Sequence, residues 1–398
     1  MPAVSVPGVA RSFGEFYVPR FEIAAGGTSI PASVVRDVIQ VTYNDSTTEI
    51  DSFDITVANW DTSARAFKYV GAETTTRLTG ATPEEQIQKL FEPCAREFEL
   101  KLGYGSELMS IVKGTPTSLE PSFPAGAAPT LTVRALNVLF KLRGEQHRRQ
   151  WTNKTISQIA REIGRGFPIE IRVNPPSDPR EPVLDYLAQE NQYDIDFLLL
   201  EARKIGYVVY VGSEPQRRGP AREYLYFGPS DGRQAGIPDV TYELKWGISL
   251  VDFTPKLTTA NQVKSVEVRS WNRETNRSIR KKVDLSHPGI TTNRDLLHLL
   301  EQPGVQPREE MVVNEPQHTP EQAERRALAI LSERLKQMVE ANGTTVGLPD
   351  LRAGQRVRIV GVGARFSGTY FVTKTTHTIN DSGYTTKFTA RREQGEAA

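Results

Sequence analysis

The sequence predicts an α+β fold that is mainly β, with a β segment at each end of the chain and a mixed segment between them. Runs of β-branched residues with alternating hydrophobicity occupy both ends, and helix-start patterns stand in the middle and late in the chain. We therefore expect three domains, formed by residues 1–143, 144–238 and 239–398.

The first segment is expected to be an antiparallel β domain. Phe53, Ile55 and Val57 recur at a period of two, which places them on one face of a strand. Similar β-rich runs predict strands over residues 16–23, 34–43, 50–58, 98–102, 109–112 and 131–139.

Turn residues and one long interruption divide these strands. Gly26-Gly27 is expected to form a turn, and so are residues 44–46, where Asn, Asp and Ser separate two strands. Residues 60–93 break the strand pattern and contain a helix start near Thr82. We interpret this stretch as an insertion into the first domain or a long loop.

The middle segment is expected to be a smaller mixed α/β domain. Thr155 and Gln158 have the spacing of a capping box, and Gly206 stands where a left-handed residue would end a helix. Asp194 and Asp196 are expected to cap the start of that same helix. The patterns predict helices over 156–163, 183–189 and 194–205 and strands over 207–211 and 223–227.

The last segment returns to β structure and carries one long helix. Thr319 and Pro320 combine an N-cap residue with proline at the first helical position, and Asn342-Gly343 is expected to end the helix. The helix is therefore predicted over about residues 320–341. Strands are predicted over residues 263–271, 279–285, 356–360, 369–376 and 385–391.

Composition excludes several classes of protein. The chain has 398 residues, a net charge of +1 and one cysteine, Cys94, so an intrachain disulfide is impossible. The near-neutral charge disfavours a specific nucleic-acid partner, because phosphate binding usually requires a basic excess. No run of about 18 apolar residues occurs, so we expect no membrane-spanning segment.

The search for chemistry yields no catalytic, cofactor-binding or metal-ligating residue. Gly103-x-Gly105 and Gly361-x-Gly363 do not complete a nucleotide-binding fingerprint and are interpreted as turns. Cys94 has no base or orienting residue that the sequence identifies. The histidines lack metal-ligand spacing and are interpreted as surface or core residues: His147, His287, His298, His318 and His377.

Seven stretches, in order along the chain, carry a family resemblance. They are Asp51 to Val57, Glu97 to Tyr104, Ile111 to Gly114, Thr155 to Ile163, Asp194 to Val208, Val266 to Asn272, and Leu351 to Val360 with Ser367 to His377 and Gly383 to Phe388. These stretches resemble the phage late control protein D family of baseplate hub proteins in contractile tails. The hub portion of VgrG spike proteins is a more distant resemblance.

The resemblance implies a structural hub subunit and not an enzyme. It implies two β-barrels similar to the tail-tube subunit, flanking the mixed domain, and a homotrimer that joins a sixfold inner tube to a threefold spike. The expected partners are a separate VgrG-like central spike, inner-tube or tube-initiator proteins and other baseplate proteins. No cofactor is expected, and the interface residues are not assigned.

The expected location is the baseplate of a virion or injection particle that is assembled in the bacterial cytoplasm. The particle type stays open between a phage tail, a tailocin and an extracellular injection system. Two alternative functions also stay open. One is a structural protein of a non-contractile tail tip, and the other is a cell-wall hydrolase carried on a tail, which a peptidoglycan zymogram would reveal.

Overall fold

The computed structural model describes residues 4–5, 18–70, 87, 89–105, 107–173, 181–214, 222–230, 242–272, 275–290, 294–302 and 308–393. Over these residues the fold is α+β and mainly β, as predicted, with large antiparallel sheets. Three large hydrophobic cores organise the described residues, one built mostly from each of the segments defined above, and a fourth, small cluster lies between the middle and last segments.

The first segment is a curved antiparallel sheet around one core. The elements are β1 (Val4–Ser5), β2 (Pro19–Ala25), β3 (Thr28–Ser29), α1 (Ala32–Asp37), β4 (Val38–Ser46), β5 (Ser52–Ala58), β6 (Trp60–Asp61), β7 (Ala66–Phe67), β8 (Phe98–Tyr104), β9 (Glu107–Ser122) and β10 (Thr130–Asn137), with 3-10 helices at Lys89–Phe91 and Val138–Arg143. The ladder runs β4-β5-β10-β9-β8-β2, and Phe53, Ile55 and Val57 on β5 are fully buried inside it, as the alternation predicted.

The middle segment packs two helices against small sheets. The capping box at Thr155 is present, since its hydroxyl accepts from the Gln158 N–H and the Gln158 side chain accepts from the Thr155 N–H. The two strands predicted over residues 207–211 and 223–227 are also present, and they pair antiparallel. The elements are β11 (Gln146–Lys154), α2 (Ile156–Ile163), β12 (Glu170–Val173), β13 (Leu184–Tyr193), α3 (Asp194–Lys204), β14 (Tyr207–Glu214) and β15 (Arg222–Pro229).

The last segment combines a rolled sheet with a helix-covered hairpin. The rolled sheet has the ladder β16-β22-β23-β24-β21-β17, while β18, β19 and β20 form a separate sheet that packs on α5. The elements are β16 (Tyr242–Lys245), β17 (Leu250–Leu257), β18 (Ser265–Asn272), β19 (Arg277–Asp284), α4 (Arg294–Glu301), β20 (Glu309–Val312), α5 (Pro320–Lys336), β21 (Val339–Val346), β22 (Arg356–Val360), β23 (Gly368–Asn380) and β24 (Gly383–Arg391).

A direct strand pair joins the first and last segments. Residues 374–380 of β23 extend beyond β22, and the edge left free there pairs antiparallel with β4. The two ladders are therefore one continuous sheet, although more than 300 residues of chain separate the paired strands.

Two predictions near the start of the chain were wrong. Residues 34–37 belong to α1, because Pro31 precedes the helix with a φ of −56° and Val34 packs into the first core. Residues 44–46 lie within β4 and do not form a turn, because they pair with β23. Long-range pairing overrides the local turn preference of Asn, Asp and Ser.

The predicted helix over residues 183–189 is also wrong, since this stretch belongs to β13. Leu184 and Leu187 have the spacing of a helix stripe, but they pair with β11, where Leu187 lies opposite the buried Trp151. A register shift in this ladder coincides with the positive φ of Asn191. β13 therefore contains a bulge at Asn191, which the spacing of its apolar residues does not reveal.

The long helix ends earlier than predicted, at Lys336. Met338 is fully buried just beyond it, and Asn342-Gly343 lies inside β21 between two paired strands. A Cβ atom on Gly343 would lie 2.4 Å from the ring of Phe388. This glycine is therefore required for close packing and not for stopping a helix.

Helix α3 begins with Asp194 but is not capped by it. The N-cap position is Tyr193, which makes no side-chain cap bond, so the prediction of an aspartate cap was wrong. Asp194 instead accepts hydrogen bonds from Arg149 at 2.9 Å and Gln189 at 2.8 Å. It fixes β11 and β13 to the start of the helix, where a negative charge is favourable.

The stretch 60–93 is described only in part, and the helix start near Thr82 lies outside the described residues. Where it is described, this stretch is not a surface loop alone. Leu90 and Phe91 are buried in the first core, and the Phe91 ring lies 5.2 Å from that of Tyr69. Both ends of the stretch therefore contribute to packing of the first segment.

The left-handed conformation predicted for Gly206 is confirmed, since its φ is +74°. We expect Gly206→Val to lower the free energy of unfolding by about 1–2 kcal/mol, because side chains strain this conformation. Nothing lies within 4 Å of a Cβ built there, so backbone strain is the cause. Gly144→Val is the matched control, since Gly144 has a φ of −69°. Equal urea denaturation curves for the two variants would contradict this account.

Candidate functional site: the buried junction

Polar side chains are buried where β4 meets β23. Tyr43 and Asp45 on β4 lie directly opposite His377 and Thr375 on β23, and all four are 0% exposed. Buried polar groups of this size are tolerated only when hydrogen bonds or opposite charges satisfy them. We call Tyr43, Asp45, Asp51, Arg352, His377 and Tyr384 the junction cluster.

Arg352 is the centre of the junction cluster. It lies in the loop between β21 and β22, and its guanidinium reaches into the first segment. Nε donates to Asp45 Oδ2 at 2.6 Å, Nη1 donates to the Ile111 carbonyl at 2.9 Å, and Nη2 donates to the Tyr43 hydroxyl. The neighbouring Ala353 N–H also donates to Asp45 Oδ2, at 2.8 Å. One residue of the last segment thus binds β4 and β9 of the first.

A second buried carboxyl group faces the same guanidinium. Asp51 Oδ1 accepts from the Ser46 N–H at 3.1 Å, and Oδ2 accepts from the Asn137 amide at 2.7 Å. Burial first, and then the nearby Asp45 carboxylate, raise the pKa of Asp51 well above its usual range.

Protonation of Asp51 gives the buried pair of carboxyl groups the hydrogen-bond donor that it otherwise lacks. Asp45 Oδ1 is buried and has no hydrogen-bond partner among the described residues, and the Asp45 carboxyl is close enough to Asp51 to raise its pKa. A proton on Asp51 supplies the missing donor and leaves one negative charge to balance Arg352. Two ionised carboxylates at this depth would exceed the charge of the single guanidinium.

His377 is held neutral beside this ion pair. Its Nε2 lies 2.9 Å from the Leu351 carbonyl, so Nε2 carries the proton and donates. Nδ1 then accepts from the Tyr384 hydroxyl at 2.9 Å and from Thr386 at 3.1 Å. Burial, followed by the charge of Arg352, lowers the pKa of His377 to about 3. The prediction that a histidine belongs to the core is confirmed here.

The junction cluster is an enclosed structural site. Its polar atoms bond to one another and to the backbone, and Arg352, Asp45 and His377 are each less than one-tenth exposed. Because these side chains are closed off from solvent, what the cluster can do chemically is fix the geometry of the two ladders. Sequence reasoning missed it because its members are distributed from residue 43 to residue 384. The sequence signal that could have indicated the cluster is a polar residue flanked by β-branched residues, such as Asp45.

The remaining candidate residues lie apart from one another. His147 and His287 each face one carboxylate, Asp194 and Glu324, while His298 is largely exposed beside Glu301. Cys94 is exposed. Within the described part of the chain, no group of three metal-type side chains comes together, and no helix is long and apolar enough to cross a membrane.

Gly105, Gly361 and Gly363 occupy turns, as interpreted from the sequence, but Gly103 lies inside β8, where it pairs with Leu108, so the turn interpretation was wrong for that residue. Gly105 has a φ of +56° between β8 and β9, and Gly361 and Gly363 have φ values of +85° and +81° after β22. Neither pair opens a helix in the described residues. They serve backbone geometry and not phosphate binding.

A cavity of about 330 Å³ lies between the end of α3 and one face of α5. Ile156, Leu184 and Leu328 form apolar walls, while Glu315 and Arg326 pair at its rim. Arg326 also donates to the Lys204 carbonyl at 2.5 Å. This contact connects the middle segment to the last one, so the cavity lies at a second junction between segments.

Comparison with known proteins agrees with the architecture. The family model described as the Alg8 N-terminal domain matches residues 17–381. No curated protein matches the sequence. Three solved structures with related folds represent phage tails and a secretion system.

The first is the 43 kDa tail protein of prophage MuSo2 from Shewanella oneidensis, with a TM-score of 0.61 and 16% identity, covering 94% of this chain and 98% of that one. The second is a tail protein from Neisseria meningitidis MC58, with a TM-score of 0.61 and 13% identity, covering 94% and 97%. The third is a type VI secretion component from E. coli that is structurally similar to the tail proteins gp27 and gp5 of bacteriophage T4. It has a TM-score of 0.52 and 13% identity, covering 94% and 77%. The chain has the fold of these proteins.

Proposed function

The chain belongs to the Alg8 N-terminal domain family, and we propose that it is a structural hub subunit in the baseplate of a contractile phage tail or related injection machine. The observation that carries the proposal is the match of nearly the whole chain to phage tail proteins of similar length. A non-enzymatic role accords with the junction cluster, whose polar groups bind one another.

The internal architecture supports the proposed symmetry. Among the described residues, six strands form the ladder β4-β5-β10-β9-β8-β2, and six others form β16-β22-β23-β24-β21-β17. Each ladder encloses its own core, and the two are joined side by side through β4 and β23. One chain thus carries two ladders within one continuous sheet, and we propose that they act as two tube-like domains.

Three such chains would provide six similar units around an axis. A closed ring of three subunits could then face a sixfold inner tube on one side and a threefold spike on the other. The rigid junction between the two ladders would keep the six units in register. The proposed partners are accordingly a second and third copy, inner-tube proteins, a separate VgrG-like spike and other baseplate proteins.

We expect the purified protein to form a trimer, with a mass near three times 44.4 kDa by light scattering over a range of concentrations. The physical reason is that the pseudo-sixfold ring needs three pairs of ladders to close. Co-expression with the spike chain of the same gene cluster distinguishes template-dependent assembly from a wrong assignment. A chain that stays monomeric both alone and with that spike would contradict the hub role.

A further inference from the structure

The rolled sheet of the last segment has a seam. Among the strands of the last segment, β16 and β17 lie at the two ends of this ladder, and they are consecutive in the chain. In the described residues, the contact between them is the bridge of Trp246 with Leu250, within the connecting turn. We call the facing edges of β16 and β17, with residues 246–249, the seam.

The β16 edge of the seam already accepts an extended strand. Val4 and Ser5, which form β1, pair in parallel with Tyr242 and Glu243. The other two residues of β16 have no strand partner on this side among the described residues. An unpaired edge is a ready template for a strand from another chain.

Apolar side chains are exposed beside the same edge. Trp246, Ile248 and Val251 are 59%, 65% and 68% exposed, and they fall within six residues of one another. Large apolar groups clustered in this way mark interaction surfaces more often than isolated ones do. The two residue pairs between β1 and β16 bury little area, so β1 alone does not cover Trp246, Ile248 and Val251.

We propose that β16 receives the N-terminal strand of a second copy of this chain, so that neighbouring subunits exchange arms across the seam. The inference rests on the proposed oligomeric hub. The donor that fits the edge is the chain's own sequence, and residues 6–17 can span at most about 45 Å between Ser5 and Val18. That reach allows the arm to extend to an adjacent subunit, whose body then covers Trp246, Ile248 and Val251.

Site-directed disulfides test the exchange. All proteins carry Cys94→Ser, because Cys94 is exposed and would react. Ser5→Cys and Glu243→Cys place thiols on directly paired positions. The two substitutions are introduced into separately tagged chains that are co-expressed, purified as the complex and oxidised. We expect a covalent species containing both tags, because a disulfide between these chains can form only in trans.

A matched control combines the Ser5→Cys chain with a Lys282→Cys chain, since Lys282 is about half exposed on β19, in a different sheet. It should give no comparable product.

A double variant, with Ser5→Cys and Glu243→Cys in the same chain, tests whether β1 instead pairs with β16 of its own chain. If light scattering shows an oligomer but this variant crosslinks only within the chain, arm exchange is overturned while the hub role stands. If the protein is monomeric with an intrachain crosslink, both fail, and absence of any crosslink overturns the pairing itself.

Discussion

Arg352→Met is expected to lower the free energy of unfolding by about 3–5 kcal/mol, because it leaves a buried carboxylate without its counter-charge. Arg352 is 6% exposed and Asp45 is fully buried, so water cannot replace the lost guanidinium. The change also removes donors to the Ile111 carbonyl and the Tyr43 hydroxyl. Methionine retains much of the side-chain volume, which separates the loss of charge from the creation of a cavity.

The matched control is Arg134→Met. Arg134 pairs with Asp54 at 2.8 Å, but its side chain is 46% exposed. Exposed pairs of this kind contribute about 0–1 kcal/mol, so urea denaturation should show a small change. Adding Asp45→Asn to Arg352→Met should recover part of the loss, since the uncompensated charge is removed. Equal effects at Arg352 and Arg134, or no recovery in the double variant, would show that the ion pair does not hold the junction.

Loss of this ion pair should act on the link between the ladders before it acts on either core. The β4–β23 pairing and Arg352 connect the two, whereas each ladder has its own hydrophobic cluster. Amide hydrogen exchange of β4 and β23 should therefore accelerate in Arg352→Met more than exchange of β9 and β10. In the proposed hub, such a variant would hold its two tube-like units less firmly in register.

Local sequence signals predicted the elements whose stabilising contacts are local. The alternation of Phe53, Ile55 and Val57 identified β5, and the capping box at Thr155 identified α2. Gly206 marked the end of α3 because a left-handed residue favours glycine wherever the chain folds. These signals depend on neighbours within a few residues, so one sequence suffices to detect them.

The elements that were predicted wrongly depend on distant partners. β13 has apolar residues at helical spacing, and only its pairing with β11 makes it a strand. Asn342-Gly343 resembles a helix stop, yet Phe388 from β24 packs against the glycine. Asp45 sits in a turn-like sequence but is held by Arg352, which follows it by 307 residues. Contacts over such separations have no local signature, and the hydrogen bonds by which Arg352 holds the junction cluster together are all of this kind.

The second prediction is that the protonated state of Asp51 makes the free energy of unfolding fall at alkaline pH. In the unfolded chain an aspartate has a pKa of about 3.9, whereas burial and the Asp45 carboxylate raise the pKa of native Asp51 well above that value. The native state therefore holds a proton that the unfolded state has released. The contribution of Asp51 to the free energy of unfolding is complete below the unfolded pKa. It is lost as the pH rises through the native pKa, by up to about 1.4 kcal/mol per pH unit.

Asp51→Asn removes this dependence, because an amide does not ionise and its NH₂ can still donate to Asp45 Oδ1. The amide also loses one acceptor, facing Ser46 or Asn137, so stability at a single pH is not the informative quantity. The readout is the difference in unfolding free energy between the variant and the original chain at successive pH values. We expect that difference to shift in favour of the variant as the pH rises from about 5 to about 9, and to level off above the native pKa.

His377 and Asp61 define the limits of this experiment. Burial lowers the pKa of His377 to about 3, so its contribution to stability is complete above the pKa of an unfolded histidine, about 6.5, and is lost as the pH falls from there through the native pKa. This effect is the same in both proteins and cancels in the difference. Asp61→Asn is the control of opposite sign, since N–H groups of Ala64 and Ser63 lower the pKa of Asp61 and its contribution is lost towards acid. A difference for Asp51→Asn that stays constant from neutral to alkaline pH would mean that Asp51 is ionised in the native protein. Asp45 Oδ1 would then lack a donor, and Arg352 alone would have to balance two buried charges.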